Sequence, residues 1–226
     1  NAEDAEKNKA NIIEYNKVVK IELSDDYWKT LLEDGQTIKS KVLINASGPW
    51  INETMKNIIK VNSNKKIRLV KGSHIILNKL YDENIAFTLQ NDDKRIIFVI
   101  PYNKKYSLIG TTEVEVKSPD ENKIDEFEIN YLINCVNKYF VKQINKNEIV
   151  ETYSGIRPLI EDFKEASKVT RDYIFDLNTQ NKLPILSIYG GKLTTYRKLS
   201  ERALNELSKF LPIHTKKSWT DKKKLI

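Results

Sequence analysis

The sequence predicts a mixed α/β fold in which an antiparallel sheet lies between two α/β pieces of the chain. Three segments carry this prediction. Residues 42–46 form a short, continuous apolar run, which is typical of a strand covered on both faces. Residues 66–116 alternate like a β-meander, and residues 186–210 run as a strand into paired glycines and then into a helix. This order of elements indicates two interleaved structural units.

The first sixty residues contain the early elements of one unit. The opening residues, up to about 10, favour a helix, and "NIIEYNKVVKIEL" alternates well enough for a strand. Asp34-Gly35 predicts a hairpin turn between two further strands. The apolar run "VLINA" is broken by Ser47-Gly48-Pro49, after which "WINETMKNII" predicts a helix with proline near its start.

The middle of the chain predicts four strands followed by a helix. The strands are "KIRLVKGSHIILN", "IAFTLQ", "RIIFVIPY" and "YSLIGTTEVEV", and turn signals separate the last three. Residues 125–143 place apolar side chains at helical spacing. The predicted stripe is Phe127, Tyr131, Leu132, Cys135, Tyr139 and Val141. Because Cys135 belongs to this stripe, we expect a buried structural thiol rather than a nucleophile.

The last third predicts two more strands, "IVETYSGIRPLI" and "TRDYIFDLN", before the strand that ends at the paired glycines. The helix that follows, over about 193–210, is expected to bury one face. The side chains on that face are Tyr196, Leu199, Ala203, Leu207 and Phe210.

Composition narrows the function classes. The chain has 226 residues, 40% of them hydrophobic, which is enough for a real core, and no apolar run long enough to predict a transmembrane helix. Its single cysteine excludes an internal disulfide and fits a reducing cytoplasm. The net charge of +7 is compatible with nucleic acid, an anionic membrane or an anionic substrate as binding partner. The excess positive charge comes from lysines scattered along the chain, which favours none of the three. No helix-turn-helix, zinc or RNA-stacking signature supports a nucleic-acid partner.

Arginine is scarce in this lysine-biased chain. We therefore expect arginines where a planar, two-pronged donor is needed. They are Arg68, Arg95, Arg157, Arg171, Arg197 and Arg202.

Gly190 and Gly191 are the only adjacent glycines, and they stand where a strand gives way to a helix. Free N–H groups at the helix start would receive a phosphate or a carbonyl, with Lys192 adding charge. The alternative is a tight turn that needs positive φ, with Thr194 or Thr195 as an ordinary N-cap. No two glycines are separated by one residue, so the glycine-rich turn that normally holds a dinucleotide's pyrophosphate is absent from this sequence.

Three other positions are candidates for a site. Gly48 would let a ligand or another backbone approach closely, although a strand end before a proline-started helix explains it as well. His74 precedes an apolar run and is a candidate base or hydrogen-bond donor, with a structural histidine as the alternative. Arg157 stands between Gly155 and Pro158, where a rigid guanidinium suits a carboxylate or phosphate; its alternative is a buried ion pair. No cysteine–histidine cluster predicts a metal.

Seven stretches, taken in order, resemble the FAD-dependent, respiratory, quinone-linked glycerol-3-phosphate dehydrogenases. They are "NASGPW", "IRLVKGSHII", "LQNDDKRIIFVIPY", "IGTTEVE", "YSGIRPL", "TRDY" and "SIYGGKLTTYRKLSE". Their combination, in the family's order and spacing over nearly the whole chain, is far more specific than any single glycine motif. The resemblance implies a fold of the D-amino-acid-oxidase type, with a discontinuous FAD domain and a substrate domain built on an antiparallel sheet.

The resemblance also implies a reaction and roles for particular residues. Such enzymes oxidise sn-glycerol 3-phosphate to dihydroxyacetone phosphate by hydride transfer to FAD and pass the electrons to membrane quinone. Arg157 and Lys192 would bind the substrate phosphate and steady the oxygen at the reacting carbon, and His74 would contact the substrate or accept its proton. The expected FAD contacts are Ala46, Ser47, Gly48, Gly190, Gly191, Lys192, Leu193 and Thr194.

The resemblance covers the central part of such an enzyme. The family's opening glycine-rich turn and its C-terminal helical region have no counterpart in these residues. The expected division is part of the FAD domain over 1–62, the substrate domain over 63–150, a return to the FAD domain over 151–212 and a tail over 213–226. Lacking the pyrophosphate cradle, the chain alone should bind FAD weakly or not at all and be inactive, and an upstream polypeptide would complete the FAD site.

Two rival interpretations stay open. Oxidases that use oxygen instead of quinone share this fold, and the sequence does not separate them. The second rival is a non-catalytic remnant of a split gene, against which intact His74, Arg157 and Lys192 argue mildly. The family implies peripheral contact at the cytoplasmic face of the inner membrane, although no segment here is a convincing amphipathic anchor.

Overall fold

The computed structural model describes residues 1–61, 63, 65–160, 173–179, 183–212 and 219–223. The chain forms two units, Asn1–Lys66 together with Arg171–Ile226, and Ile67–Thr170. The first unit is discontinuous, because the chain leaves it for the second unit and then returns. Arg171 and most of the "TRDY" stretch lie outside the described residues. Within the described part of the chain, no helix is long and apolar enough to cross a membrane.

A three-stranded antiparallel sheet follows the short helix α1 (Ala2–Lys7) in the first unit. Its strands β1, β2 and β3 span Val18–Leu23, Trp28–Leu32 and Thr37–Ser40 and pair in that order. The turn between β2 and β3 contains Gly35 at φ 88°, a left-handed conformation that glycine adopts without strain. The predicted hairpin is therefore confirmed, whereas β1 is shorter than predicted.

A second sheet in the first unit mixes parallel and antiparallel pairing, in the order β11-β12-β4. Strand β4 (Leu43–Asn45) pairs in parallel with β12 (Ile185–Gly190), and β11 (Tyr173–Asn178) pairs with β12 in the antiparallel sense. Leu186 of β12 is buried together with Ala203 and Leu207. This packing holds the helix that follows β12 against the sheet.

Helical segments follow both parallel strands. After β4, a 3-10 turn (Gly48–Trp50) leads into α2 (Ile51–Glu53) and a π-helical segment (Thr54–Ile59). After β12, a 3-10 turn (Leu193–Thr195) leads into α4 (Tyr196–Glu206). Both predicted strand-to-helix transitions are confirmed. The second helix ends at Glu206 rather than near residue 210.

One antiparallel sheet dominates the second unit. Its strands are β5 (Ile67–Asn78), β6 (Phe87–Gln90), β7 (Ile96–Tyr102), β8 (Tyr106–Gly110), β9 (Val114–Val116) and β10 (Ile149–Ile160). The order is β10-β5-β8-β7-β6, and β9 also pairs with β5. Helix α3 (Glu126–Tyr139) starts with a capping box, in which Asp125 and Glu128 each accept the other's backbone N–H. The predicted mixed fold with an antiparallel sheet is confirmed.

The buried face of α3 differs from the predicted stripe. The side chains that enter the core are Leu132, Ile133, Cys135 and Val136, whereas Phe127, Tyr139 and Val141 are exposed. The predicted stripe combined two faces of the helix, and the capping box turns Glu128 inward, one turn before Leu132. Cys135 is fully buried, and burial raises the pKa of its thiol, as a structural cysteine requires.

Two predicted boundaries also move. The predicted strand "YSLIGTTEVEV" is divided into β8 and β9, because both segments pair with β5 at different points along it. Residues 151–160, predicted in the FAD domain, pair along β5 as most of β10. The chain consequently returns to the first unit at Arg171 rather than at residue 151.

Candidate functional site

Two of the predicted segments meet at one sheet edge in the first unit. Asn45, the last residue of β4, lies opposite Ser187 of the parallel strand β12. Parallel neighbours end at the same edge of a sheet, which is where α/β proteins bind ligands. The segments that follow these strands are 46–48 and 191–194. The tertiary structure thus brings together the residues predicted to contact FAD.

Glycines at this edge adopt backbone conformations that L side chains rarely adopt. Gly48 has φ 57°, Gly190 has φ 76° and Gly191 has φ 98°. A Cβ built on Gly48 would meet no atom of the described residues within 4 Å, so the backbone there is open to close approach. A Cβ on Gly191 would lie 3.1 Å from Leu199 Cδ1, which ties this turn to the following helix.

Asn45 organises the turn after β4. Its buried side chain accepts hydrogen bonds from the Ser47 backbone N–H at 3.3 Å and the Ser47 hydroxyl at 2.7 Å. Its amide also donates to the Ile51 carbonyl at 3.3 Å. Sequence reasoning missed this role, although an asparagine directly before Ser-Gly-Pro is a recognisable turn signal.

The turn after β12 is open to solvent. Lys192, Leu193 and Thr194 are exposed, and the apolar Leu193 has 89% of its surface accessible to solvent. Thr195 precedes α4, but its hydroxyl donates to the Lys192 carbonyl at 3.1 Å and does not cap the helix. Thr195 does stand at the N-cap position of α4, as the turn alternative expected, but no side-chain hydrogen bond caps the helix within the described residues.

His74 lies on one face of the sheet in the second unit, between a glycine and an aromatic ring. Its β8 partner is Gly110, where a Cβ would lie only 2.1 Å from His74 Cδ2. Its β10 partner is Tyr153, whose ring is stacked on the imidazole at 4.7 Å between centroids. The buried Nδ1 atom makes no hydrogen bond to any described residue.

This setting keeps His74 neutral. Burial lowers its pKa from 6.5 to about 4, and the positive charge of Arg157 adds to the effect. A neutral imidazole at pH 7 has one nitrogen with a free lone pair, so His74 is able to accept a proton from a ligand.

Arg157 shares this sheet face with His74. It is four residues beyond Tyr153 on β10, so the two side chains project from the same side of the strand. Its Nη2 donates to Thr111 Oγ1 at 3.1 Å. A Cβ on Gly72 would lie 2.5 Å from both terminal nitrogens of Arg157, so the guanidinium occupies the space that this glycine leaves open.

A buried polar cluster lies on the opposite face of β5. Glu128 Oε1 accepts from the hydroxyls of Ser73 at 2.8 Å and Thr112 at 2.5 Å, and Oε2 pairs with Lys71 Nζ at 2.8 Å. Burial acts to raise the Glu128 pKa, but the bonds from Lys71, Thr112 and Ser73 outweigh it and keep the pKa below its usual value. The cluster joins α3 to the strand that carries His74.

The predicted site residues therefore fall into two groups. His74 and Arg157 lie together in the second unit, whereas Lys192 belongs to the first unit with the predicted FAD contacts. Sequence reasoning missed the residues that shape the His74 face. They are Gly72, Gly110, Thr111 and Tyr153. The only signal was that all four stand within the motifs "KGSH", "IGTT" and "YSGIR", next to candidate residues or turns.

Comparison with known proteins decides the family. Residues 1–197 match the family model of the FAD dependent oxidoreductases. The chain belongs to this family. It is 45% identical to the aerobic glycerol-3-phosphate dehydrogenase of Escherichia coli, over 84% of this chain and 40% of the relative. It is 40% identical to the Pseudomonas tolaasii glycerol-3-phosphate dehydrogenase, over 100% of this chain and 45% of the relative.

These matches confirm the resemblance read from the motifs. The D-erythritol 1-phosphate dehydrogenase of Brucella abortus is also 41% identical, over 78% of this chain and 36% of the relative. The chain thus spans less than half the length of these relatives.

Solved structures show the same fold. The FAD complex of the Bacillus halodurans glycerol-3-phosphate dehydrogenase matches with a TM-score of 0.75 at 24% identity, over 89% of this chain and 40% of that one. The L-alpha-glycerophosphate oxidase of Mycoplasma pneumoniae matches with a TM-score of 0.63 at 17% identity, over 84% of this chain and 48% of that one. The D-amino-acid-oxidase type of FAD-binding fold is therefore confirmed.

The family's cofactor, FAD, fits the sheet edge of the first unit. The open backbone at Gly48 allows a flat ligand to approach, and the 3-10 turn that begins at Leu193, which has no side-chain cap among the described residues, offers N–H donors to a carbonyl or an anion. The exposed Leu193 offers apolar surface to a ring system.

Proposed function

We propose that this chain is the flavin- and substrate-binding part of an enzyme that oxidises sn-glycerol 3-phosphate to dihydroxyacetone phosphate. Relatives at 40% and 45% identity carry the name glycerol-3-phosphate dehydrogenase. The observation that carries the proposal is the pairing of a neutral His74, with an unengaged Nδ1, and Arg157 on one sheet face. Oxidation of a secondary alcohol requires a base that accepts the hydroxyl proton, and binding of its phosphate group requires a fixed cation.

In this proposal the first unit contributes to the FAD site. The residues proposed to contact the cofactor are Ala46, Ser47, Gly48, Gly190, Gly191, Lys192, Leu193 and Thr194. The 3-10 turn before α4 would place its N–H dipoles toward negative charge, and Lys192 would add a cation. When bound, FAD supplies the hydride acceptor.

The second unit is proposed to bind the substrate. Arg157 binds the phosphate dianion, since a guanidinium offers paired donors to two phosphate oxygens. His74 accepts the proton of the C2 hydroxyl as the carbonyl forms, because a neutral imidazole has a ring nitrogen with a free lone pair. Lys192 is proposed as a second cation for the phosphate or the C2 oxygen.

Direct binding tests the substrate part of the proposal on these 226 residues. We expect titration calorimetry to detect sn-glycerol 3-phosphate and not glycerol, because the phosphate supplies the ionic contact. The R157Q variant should abolish binding, whereas R95Q, which removes an arginine that pairs with Asp93 away from this face, should not. Equal affinity for glycerol, or full binding by R157Q, would contradict the proposal.

Catalysis is tested in a chimera in which this chain replaces the matching part of the Pseudomonas tolaasii enzyme. We expect glycerol 3-phosphate to bleach the flavin without oxygen, and H74N to slow this step about a hundredfold or more. A flavin-loaded chimera that is inert would favour the non-catalytic interpretation. Turnover of D-erythritol 1-phosphate that is faster than turnover of glycerol 3-phosphate would instead favour the substrate named for the Brucella abortus relative.

The electron acceptor and the location belong to the same proposal. We propose quinone as acceptor and peripheral contact with the cytoplasmic face of the inner membrane. An oxygen electrode separates the two acceptors, since an oxidase consumes oxygen with glycerol 3-phosphate alone. Release of the enzyme from membranes by high salt would support peripheral contact, because surface charge contacts are screened.

A further inference from the structure

The guanidinium of Arg157 meets Thr111 directly above the backbone of Gly72. A Cβ on Gly72 would lie 2.5 Å from both terminal nitrogens of Arg157 and 2.6 Å from Thr111 Oγ1. Arg157 pairs across the strands with Val70, two residues before Gly72. Its side chain therefore reaches diagonally along β5, a distance that long side chains span.

The Thr111 hydroxyl is oriented to accept from Arg157. It donates its own proton to the Thr112 carbonyl at 3.1 Å, which leaves the oxygen lone pairs for Nη2 of Arg157 at 3.1 Å. Serine would keep this pair of bonds, and valine, which has nearly the same shape, would remove both.

The segment that carries Thr111 is anchored on the buried side of the sheet. The next residue, Thr112, is buried; its hydroxyl accepts from the Ser73 N–H at 2.9 Å and donates to Glu128 at 2.5 Å. The Thr112 N–H also donates to the Ser73 carbonyl at 3.3 Å. The bonds of Thr112 to Ser73 and Glu128 therefore fix the backbone next to Thr111, while the Thr111 hydroxyl bonds to Arg157.

We infer that Thr111 is a positioning residue for Arg157, holding the guanidinium over Gly72 in the orientation that receives the phosphate of the substrate. This inference rests on the proposed function in one respect, the identity of the anion as a sugar-alcohol phosphate. Thr111 itself acts through Arg157 and forms no bond with the substrate. Its loss should weaken anion binding without removing it, because the cation stays.

The test compares T111V with T111S in the 226-residue chain labelled with ¹³C and ¹⁵N in arginine. R157K identifies the Arg157 guanidinium signals, since the chain has only six arginines. We expect hindered guanidinium rotation in the wild type and T111S, and freer rotation in T111V. Affinity for glycerol 3-phosphate and for inorganic phosphate should fall about three- to tenfold in T111V and change less than about twofold in T111S.

Each outcome has a distinct meaning. Unchanged Arg157 signals and affinity in T111V, or a lower melting temperature alone, would show a purely structural threonine and overturn the inference. Freer Arg157 rotation in T111V, in a chain whose wild type binds no glycerol 3-phosphate, would keep the positioning role and refute the proposed substrate. If T111V does not fold, T111A also removes the hydroxyl and allows the same comparison with T111S.

Discussion

Lys71 and Glu128 form an ion pair of 2.8 Å in which the two side chains are only 7% and 2% exposed. The pair lies on the far side of the strand that carries His74, since Lys71 and His74 are three residues apart on β5. Ser73 and Thr112 complete the bonding of the carboxylate. A charge removed from water in this way depends on its partner.

Replacing Glu128 with glutamine should therefore destabilise the second unit by about 3–5 kcal/mol, because the buried Lys71 ammonium loses its close counter-ion and keeps only the Asp125 carboxylate at 4.0 Å. Denaturant unfolding measures the loss. E126Q is the matched control, since Glu126 lies on the same helix but its ion pair with Lys146 is exposed to solvent, and its loss should change the stability far less than that of Glu128. The double variant K71M/E128M should lose less than E128Q alone. Equal stability of E128Q and E126Q would contradict the buried-pair argument.

Stability should decrease as the pH falls from about 6.5 to about 4, partly through His74. The folded pKa of His74 is lowered to about 4 by burial and by Arg157, so the unfolded state binds the proton first. The resulting loss of stability is absent well above pH 6.5 and complete below about pH 4. When the free energy of unfolding is measured against pH, its slope in this window should be steeper in the wild type than in H74Q. The difference should correspond to the binding of up to about one proton on unfolding. Parallel curves would mean that His74 titrates normally.

An alanine at Gly110 should disrupt the His74 face. Its Cβ would lie 2.1 Å from the imidazole, and relieving that overlap should cost about 1–3 kcal/mol. G155A is the control, because a Cβ at that strand glycine meets none of the atoms that the structure describes within 4 Å. Thermal unfolding and the His74 ring signals in NMR measure the difference. If G110A leaves both unchanged, His74 does not occupy the space above Gly110.

Gly48 should matter for FAD more than for folding. Gly48 and Gly35 both have positive φ, and within the described part of the chain a Cβ on either meets no atom within 4 Å. An alanine at either position should therefore lower the free energy of unfolding by a similar amount, about 1–2 kcal/mol. Only Gly48 lies at the edge proposed for FAD. In the chimera described above, G48A should therefore weaken FAD binding about tenfold or more, and G35A should not. Equal FAD affinities would place the cofactor elsewhere.

The 226 residues by themselves should retain little FAD. They contain no pair of glycines separated by one residue, and hence no pyrophosphate-binding turn of the dinucleotide type. The remaining contacts at the edge of β4 and β12 should not replace the affinity of that turn. Gel filtration with added FAD, followed by an absorbance spectrum, measures the retention. A stoichiometric yellow complex would refute this prediction.

Local patterns were enough for many of the elements. The hairpin at Gly35, the strand breaks after Asn45 and Gly190, and the meander of the second unit all follow from turn residues and alternation. The helical stripe of α3 was not predicted correctly, because spacing alone does not say which of two adjacent apolar faces meets the sheet. The capping box and the Lys71 pair decided that Glu128 points inward.

The amino-acid sequence by itself determined the family, through motifs in order along the chain, and the mixed fold and the individual candidates His74, Arg157, Lys192 and Gly191, through local patterns. Only the tertiary structure decided that segments 46–48 and 191–194 share an edge and that Thr111 and Gly72 meet the guanidinium of Arg157. The physical reason is that these contacts come from strand pairing between distant segments. Register and side-chain direction across such pairs are set by the packed sheet and not by any local pattern.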